Sequence, residues 1–589
     1  MKFKYLLFCI CFISIFNSCS QKENGTNSKP NILLILTDDQ GWGDLGINGN
    51  PVLETPNLDA LGKSSIRFDR FYVSPLCAPT RASILTGRYH LRTGTSWVTH
   101  RNEVMRSSEK TIAEYLKDAG YVTGCFGKWH NGEQYPNDPI GQGFDEFFGF
   151  KAGHLNNYFN TTLIHNEEPV KTTGYITDIL ADKAIGFIKE HKEGPFFCYV
   201  PFNAPHSPFQ VPDKYFEKYK AKGLDDKDAS VYGMVENLDD NIERILMTLD
   251  SLKLSDNTIV IYLTDNGPNG VRYNGGMKGI KGHVDEGGIR VPFFIRWPGH
   301  LPEGELIKQH ASHVDILPTL LDLCGIKYTP VNPLDGRSLV PLLKNTGKSW
   351  QDESIYSIQN NGEDTYLISS LRTDQYMFVL DHKDNAHLYD MIKDPGQKDD
   401  ILGGNKSLGD SLHTALLNWY ADVTKNGIVP PPVPAGYDQS PLTDLPAPEA
   451  KFGGGLQWKG KMGWAHDWIV NFKNKDDQAT WTVTIDRPDT FEVLLKFAAG
   501  AASKGKKLIV QYSKGSLEYI IPGEVDAPYI KSPDRVERGE VYQREWPVLS
   551  LGDIVLDKGV QEISLAPVSE LNDTTLAVKS VYLKLKDPE

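Results

Sequence analysis

The sequence predicts an α/β domain built on a largely parallel sheet, followed by an all-β sandwich. Three observations carry this reading. Up to about residue 330, apolar runs of strand length alternate with amphipathic stretches of helical length, the pattern of strands buried on both faces and joined by helical crossovers. Seven prolines then fall between residues 430 and 448. Beyond them, short apolar or alternating runs are cut by Gly, Pro and Asp with no helical stretch between them.

At the N-terminus, Lys2 and Lys4 precede an apolar run from Tyr5 to Phe16, too short to span a membrane as a mature helix and read as an export signal. Phe16-Asn17-Ser18-Cys19 resembles a bacterial lipobox, whose cysteine becomes the lipidated first residue; residues 20–29 then read as a polar tether. The expectation is an exported lipoprotein anchored at Cys19, at the outer membrane, cell surface or periplasm; the alternative is an ordinary secretory signal with an incidental cysteine. No other run reaches the roughly 18 apolar residues of a spanning helix. A net charge of −14 argues against a general nucleic-acid binder, which carries a basic face. Any anionic substrate must be held by local cations.

Between residues 30 and 340 the informative feature is where the apolar runs end. NILLILT (31–37) ends in Asp38-Asp39, TIVIYLT (258–264) in Asp265-Asn266, GYVTGCF (120–126) in Gly127-Lys128-Trp129-His130, and PFFCYVPF (195–202) in Asn203-Ala204-Pro205-His206. Ligands of open α/β sheets bind at the carboxyl ends of the strands. Taken singly, each cluster reads as a turn or cap. Together, three carboxylates and one amide form an all-oxygen set that suits a hard cation, Ca²⁺ or Mg²⁺, with Ca²⁺ favoured.

Cysteine is used sparingly. Cys125, Cys198 and Cys324 lie in apolar runs and read as buried free thiols. Cys77 differs: it stands between Pro75 and Pro79 at an expected strand-to-helix junction. Cys77-Ala78-Pro79-Thr80-Arg81, continuing to Leu85-Thr86-Gly87-Arg88, resembles the signature of the type I sulfatases. The resemblance extends in order through Gly127-Lys128-Trp129-His130, Pro205-His206, Thr264-Asp265-Asn266-Gly267, Lys281-Gly282 with Glu286-Gly287-Gly288, and His313-Val314-Asp315, and covers roughly residues 30 to 425.

The resemblance implies an alkaline-phosphatase-like fold and hydrolysis of sulfate esters. It implies that a separate formylglycine-generating enzyme oxidises Cys77 to formylglycine, whose hydrate is the nucleophile. It further implies Ca²⁺ held by Asp38, Asp39, Asp265, Asn266 and residue 77, with Arg81 steadying the nucleophile, Lys128 and Lys281 on the sulfate oxygens, His206 as the acid and His130 as the base. Lys278 offers a second lysine near Lys281, and spacing to Glu286-Gly287-Gly288 favours Lys281. His154 lies where related enzymes place a substrate contact, or is a surface-loop histidine. Sulfated poly- or oligosaccharide is the expected substrate, algal material such as ulvan first. The alternatives are a phosphomonoester or phosphonate hydrolase of the same superfamily, or an inactive surface glycan-binding lipoprotein.

The resemblance also implies a mixed sheet sandwiched by helices and, over residues 341–428, a small α+β C-terminal subdomain, a short antiparallel sheet with one helix, which DSLHTALLNWYADV (410–423) would supply. The proline-rich stretch 429–451 reads as a stiff linker, and a sandwich module should occupy 452–589. Trp458, Trp464 and Trp468 either stack on sugars or pack in the core and domain interface.

Overall fold

The computed structural model describes residues 29–345, 350–359, 367–381, 383, 385–571 and 575–586; the segment read as an export signal, and Cys19 with it, lies outside them. Ten strands form the main sheet: β1 (Asn31–Thr37), β2 (Ile66–Phe68), β3 (Val122–Lys128), β4 (Glu146–Phe150), β5 (Thr162–His165), β6 (Glu168–Lys171), β7 (Phe196–Pro201), β8 (Thr258–Thr264), β9 (Phe293–Arg296) and β10 (Leu306–Ile307). Their order is β10-β2-β9-β8-β1-β7-β3-β4-β5-β6. The five central strands, β8-β1-β7-β3-β4, are all parallel, and antiparallel pairs flank them on both sides.

The central runs are apolar throughout because each strand serves two cores. On β1, Leu33 and Ile35 face one core while Ile32, Leu34 and Leu36 face the other; on β8, Val260 and Tyr262 oppose Ile259, Ile261 and Leu263. This is the period of two of a pleated strand, with both faces covered. Helices over Ile176–Glu190 and Asp226–Ser251 bury their apolar stripes in the first core. The second is closed by helix α1 (Cys77–Thr86) and the helices Ile112–Asp118 and Ile316–Leu323. Among the described residues no helix is long and apolar enough to cross a membrane.

An antiparallel four-stranded sheet follows, over Ile355–Gln359, Ile368–Arg372, Tyr376–Leu380 and Ala386–Asp390. The helix Lys406–Val423 packs on it through Leu416, Leu412 and Trp419.

Two six-stranded sheets then enclose a third core. The stretch read as a linker belongs to them. Val433–Ala435 pairs in parallel with Val483–Ile485, and Leu442–Pro446 pairs antiparallel with Ser580–Lys584. Proline density is misleading here because a strand paired on one side only does not need every N–H, so Pro434 and Pro446 are tolerated. The sandwich therefore begins near residue 433, not 452.

The sandwich docks on the catalytic domain through buried polar groups. The Arg101 guanidinium ion-pairs with Glu449 at 3.1 Å and donates to the Pro431 and Pro432 carbonyls; Gln134 donates to the Asp444 carbonyl at 3.0 Å. Beside them Glu103 is buried, and its Oε2 has no hydrogen-bond partner. Burial and then repulsion from Glu449 push its carboxyl up to about 7. A folded value raised above the unfolded one gives stability that is full below about pH 4.5 and lost as pH rises through 7, on the order of 3 kcal/mol when the shift is converted. Glu103→Gln is therefore expected to raise the unfolding temperature at pH 8 and to lose that advantage toward pH 4.5; thermal unfolding across that range would show an equal effect at both ends if Glu103 were not protonated in the fold.

Candidate active site

Strands β1 and β8 lie side by side in register, Thr37 opposite Thr264, so Asp38-Asp39 and Asp265-Asn266 emerge together from the carboxyl edge of the sheet. All four are fully buried. They are joined directly: the Asp39 N–H donates to Asp265 Oδ1 at 3.2 Å, and Asn266 Nδ2 donates to Asp39 Oδ1 at 2.8 Å. Asp39 holds a left-handed backbone, φ 65°, a conformation costing about 1 kcal/mol or more outside glycine and recurrent at functional sites.

Three cations answer the three carboxylates. Lys128 Nζ lies 2.5 Å from Asp38 Oδ2. Arg81, on α1, donates through Nε and Nη2 to Asp265 Oδ2 at 3.1 and 2.7 Å and through Nη1 to the Lys128 carbonyl. Lys281 Nζ lies 2.5 Å from Asp39 Oδ1. Burial opposes ionisation of Asp38, yet Lys128, His206, Arg81 and Lys281 hold its carboxyl well below the usual range. Asp265 goes the other way: burial and the neighbouring Asp38 push it up to about 7. Asp38 Oδ1 and Asn266 Oδ1 are buried without any partner. A hard dication fits this oxygen set.

Cys77 is the first residue of α1 and is buried. Its sulfur and carboxylate oxygens of Asp38 and Asp265 lie within 4.8 Å of one another. The turn before it is locked by Thr80 Oγ1, which accepts from the Ser74 N–H and donates to the Ser74 carbonyl, and by Ser74 Oγ against His313 Nε2 at 3.0 Å. Gly282 N–H donates to the Pro75 carbonyl, which brings Lys281 beside Cys77. Lys278 instead turns to Tyr389 and Asp285, both at 3.1 Å.

The two histidines expected to move protons carry opposite free nitrogens. His130 Nε2 lies 2.9 Å from the Val98 carbonyl, which only accepts; Nε2 therefore carries the hydrogen and Nδ1, buried without a partner, keeps its lone pair. His206 Nδ1 lies 2.7 Å from the Ser207 carbonyl, leaving Nε2 to face Asp39 at 3.8 Å. Burial first, then Lys128 for His130 and Lys281 for His206, keep both rings below the ordinary histidine range and hence neutral.

These groups open into a cavity of about 300 Å³ lined by Cys77, His130, His154, His206 and Lys281. His154 is not a surface-loop histidine. It is buried, both ring nitrogens lack hydrogen-bond partners, and its ring sits 5.8 Å from that of His206.

The sequence reading missed several site residues. Asn269 donates to Asp39 Oδ2 at 3.1 Å, and Arg272 clamps the Asp39 carbonyl while ion-pairing with Asp44; nothing in their spacing marks them. Trp97, Trp464 and Glu540 also line the cavity. Trp458 stacks on His100 and Trp468 is core, so of the three singled-out tryptophans only Trp464 reaches the cavity. Arg88 of the signature is structural, paired with Glu109 at 2.6 Å.

A parallel sheet that gathers a buried carboxylate cluster, three cations, a helix-terminal cysteine and two neutral histidines at its carboxyl edge suits the hydrolysis of an anionic ester. Residues 30–326 match the family profile described as Sulfatase, and residues 281–421 that described as N-sulphoglucosamine sulphohydrolase, C-terminal. The chain belongs to the sulfatase family and is a sulfuric ester hydrolase. It is 36% identical over 356 residues to N-acetylgalactosamine-6-sulfatase of Homo sapiens, covering 54% of this chain and 67% of that protein. Against arylsulfatase A of Homo sapiens it is 31% identical over 441 residues, covering 64% and 84%. The crystal structure of Ps i-CgsB, also solved in complex with k-i-k-neocarrahexaose, superposes with a TM-score of 0.63 at 32% identity, covering 67% of this chain and 93% of that one. Both profile matches end before Val433, where the sandwich begins.

The closeness of the His130 ring to Gly153 gives a steric test. A Cβ added at Gly153 would stand 2.0 Å from His130 Nε2, and the ring, held by the Val98 carbonyl and a left-handed backbone of φ 65°, must move. Gly153→Ala is expected to lower kcat about tenfold or more, as a misplaced acid–base group does, and to lower the unfolding temperature by the few degrees that overpacking costs; unaltered kcat would show that the ring position is not critical.

Proposed function

We propose that the protein removes sulfate from sulfated poly- or oligosaccharides with a formylglycine made from Cys77 and a Ca²⁺ held by Asp38, Asp39, Asp265 and Asn266. The observation that carries this is the placement of Cys77 at a helix start, against Asp38 and Asp265, beside two buried oxygens, Asp38 Oδ1 and Asn266 Oδ1, that lack partners. When present, Ca²⁺ supplies a Lewis acid, and the hydrated aldehyde supplies two hydroxyls, one to attack sulfur and one to expel sulfate. Oxygen ligands favour Ca²⁺ over zinc.

The chain's own groups do the rest. Lys281 and Lys128 bring positive charge to the sulfate oxygens in a site from which water is largely excluded, where fixed charge acts most strongly. Arg81, immobilised between Asp265 and the Lys128 carbonyl, holds the carboxylates and orients residue 77. His206 gives a proton from Nε2 to the departing sugar oxygen; the sulfate's negative charge favours its protonated form. His130 takes a proton at Nδ1 when the second hydroxyl is deprotonated.

The similar proteins inform the substrate. One is named for N-acetylgalactosamine 6-sulfate, and another was solved with k-i-k-neocarrahexaose. Both support a sulfated galactose-type sugar, and among algal polysaccharides a carrageenan-type galactan over ulvan. An exported lipoprotein anchored at Cys19 and matured by a formylglycine-generating enzyme completes the proposal; such a location suits action on polymers outside the cell.

Mass spectrometry of the peptide containing residue 77 is expected to show an aldehyde in protein made beside the maturation system, and Cys77→Ser in the same host is expected to lose multiple turnover by orders of magnitude, since one hydroxyl can attack but not release. A serine variant as active as the wild type would refute the mechanism. Exhaustive chelation, or Asp38→Ala, is expected to abolish sulfate release, with Ca²⁺ restoring the chelated enzyme better than Zn²⁺; full activity after chelation would remove the metal.

A further inference from the structure

Two loops of the sandwich reach the cavity over Cys77. The first joins the strands Gln457–Trp458 and Ile469–Val470 and carries Trp464; the second joins Gly515–Ile520 to Val548–Leu556 and carries Glu540. Both are fastened to the catalytic domain. His466 Nε2 donates to the His154 carbonyl at 2.6 Å, and Thr99 Oγ1 donates to the Gly463 carbonyl at 3.0 Å. In the second loop, Arg538 donates to the Asn156 carbonyl at 2.8 Å, and Asn157 Nδ2 donates to Gln543 at 2.9 Å. The loops also brace each other: a Cβ at Gly539 would lie 3.7 Å from the Trp464 ring.

The side chains they deliver are unlike those at the sulfate end. Trp464 keeps 40% of its surface exposed while lining the cavity with Trp97, an indole face left open where two domains meet. Glu540 accepts a 2.6 Å hydrogen bond from Ser207 Oγ and stands 3.6 Å from His154 Nε2. A carboxylate cannot contact a sulfate group without repulsion. In a cavity built for an anionic ester, its free acceptor capacity suits the hydroxyls of the sugar, and His154, whose two buried ring nitrogens lack partners, lines the same cavity. The indole suits the apolar face of the sugar ring.

We propose that the sandwich is a wall of the active site rather than a detached binding module: Trp464 is the platform for the sugar ring and Glu540 the acceptor for its hydroxyls, so that the enzyme prefers a sugar whose only charge is the sulfate being removed, over one bearing a second sulfate or a carboxylate. The inference rests on the sulfated-carbohydrate reading above. Placing a second anion beside Glu540 would leave two negative charges facing each other in a poorly hydrated pocket, and discrimination of this kind is strong when a buried polar group is left without its complement.

The test uses the full chain with matured residue 77 and three probes: 4-nitrophenyl sulfate, galactose 6-sulfate and N-acetylgalactosamine 4,6-disulfate. Trp464→Ala is expected to lower the ratio of kcat/KM on galactose 6-sulfate to that on 4-nitrophenyl sulfate by about tenfold, chiefly through KM. Glu540→Gln keeps an acceptor oxygen for Ser207 and removes the charge; it is expected to raise the ratio of disulfated to monosulfated sugar turnover by about tenfold. Equal losses on nitrophenyl and sugar sulfates in Trp464→Ala, or an unchanged disulfated-to-monosulfated ratio in Glu540→Gln, would overturn the inference. So would a wild type that cleaves 4-nitrophenyl sulfate but neither sugar. A wild type that cleaves none of the three would instead count against the carbohydrate sulfatase reading itself.

Discussion

Three carboxylates and three cations, almost wholly removed from water, hold the catalytic end of this protein together. Asp38, Asp39 and Asp265 are fully buried, as is Arg81, and Lys128 is nearly so. No one of these charges is tolerable there alone, because desolvating a single ion costs several kcal/mol that only close partners offset. The cluster therefore constrains its own surroundings. Arg81 must come from a helix that starts at Cys77, Lys128 must end the strand two places from β1, and Asp265 must stand beside Asp38. The same arrangement leaves two of its oxygens, Asp38 Oδ1 and Asn266 Oδ1, without partners.

The sheet makes this possible by being indifferent to the chemistry at its edge. Its central strands are buried on both faces, with alternate residues in opposite cores, and so they are held in place by apolar packing alone. That rigidity lets Asp39 and His130 keep left-handed backbones, and lets glycines such as Gly153 pass close enough to a catalytic ring to fix its position. The polar groups at this edge are each oriented by a neighbour: Val98 for His130, Ser207 for His206, Arg272 for Asp39.

The sandwich changes the meaning of the cavity. Without it, the groove over Cys77 would be bounded by the catalytic domain's own loops. With it, Trp464 and Glu540 form part of the wall, and the module is fastened to the catalytic domain by the buried polar interface around Arg101 and Glu449. Binding sites fall often at such domain boundaries.

Much was legible from residue order. Continuous apolar runs specified a parallel sheet covered on both faces, acidic pairs after two such runs marked the edge where a cation fits, and the cysteine motif identified the family, because each of these is a local pattern fixed by strand periodicity or by a short stretch of chain. What the order withheld lies between segments far apart in sequence. The proline-rich stretch looked like a linker, since local propensity cannot reveal that Val433–Ala435 has a partner strand to pair with. Spacing favoured Lys281 over Lys278, but the contact that brings Lys281 beside Cys77, the Gly282–Pro75 hydrogen bond, joins remote segments. Asn269, Arg272, Trp464 and Glu540 carry no motif, and their place in the site was decided only when the sandwich and the catalytic domain closed on one cavity: side chains gathered from remote segments are defined by packing, which a one-dimensional pattern does not contain.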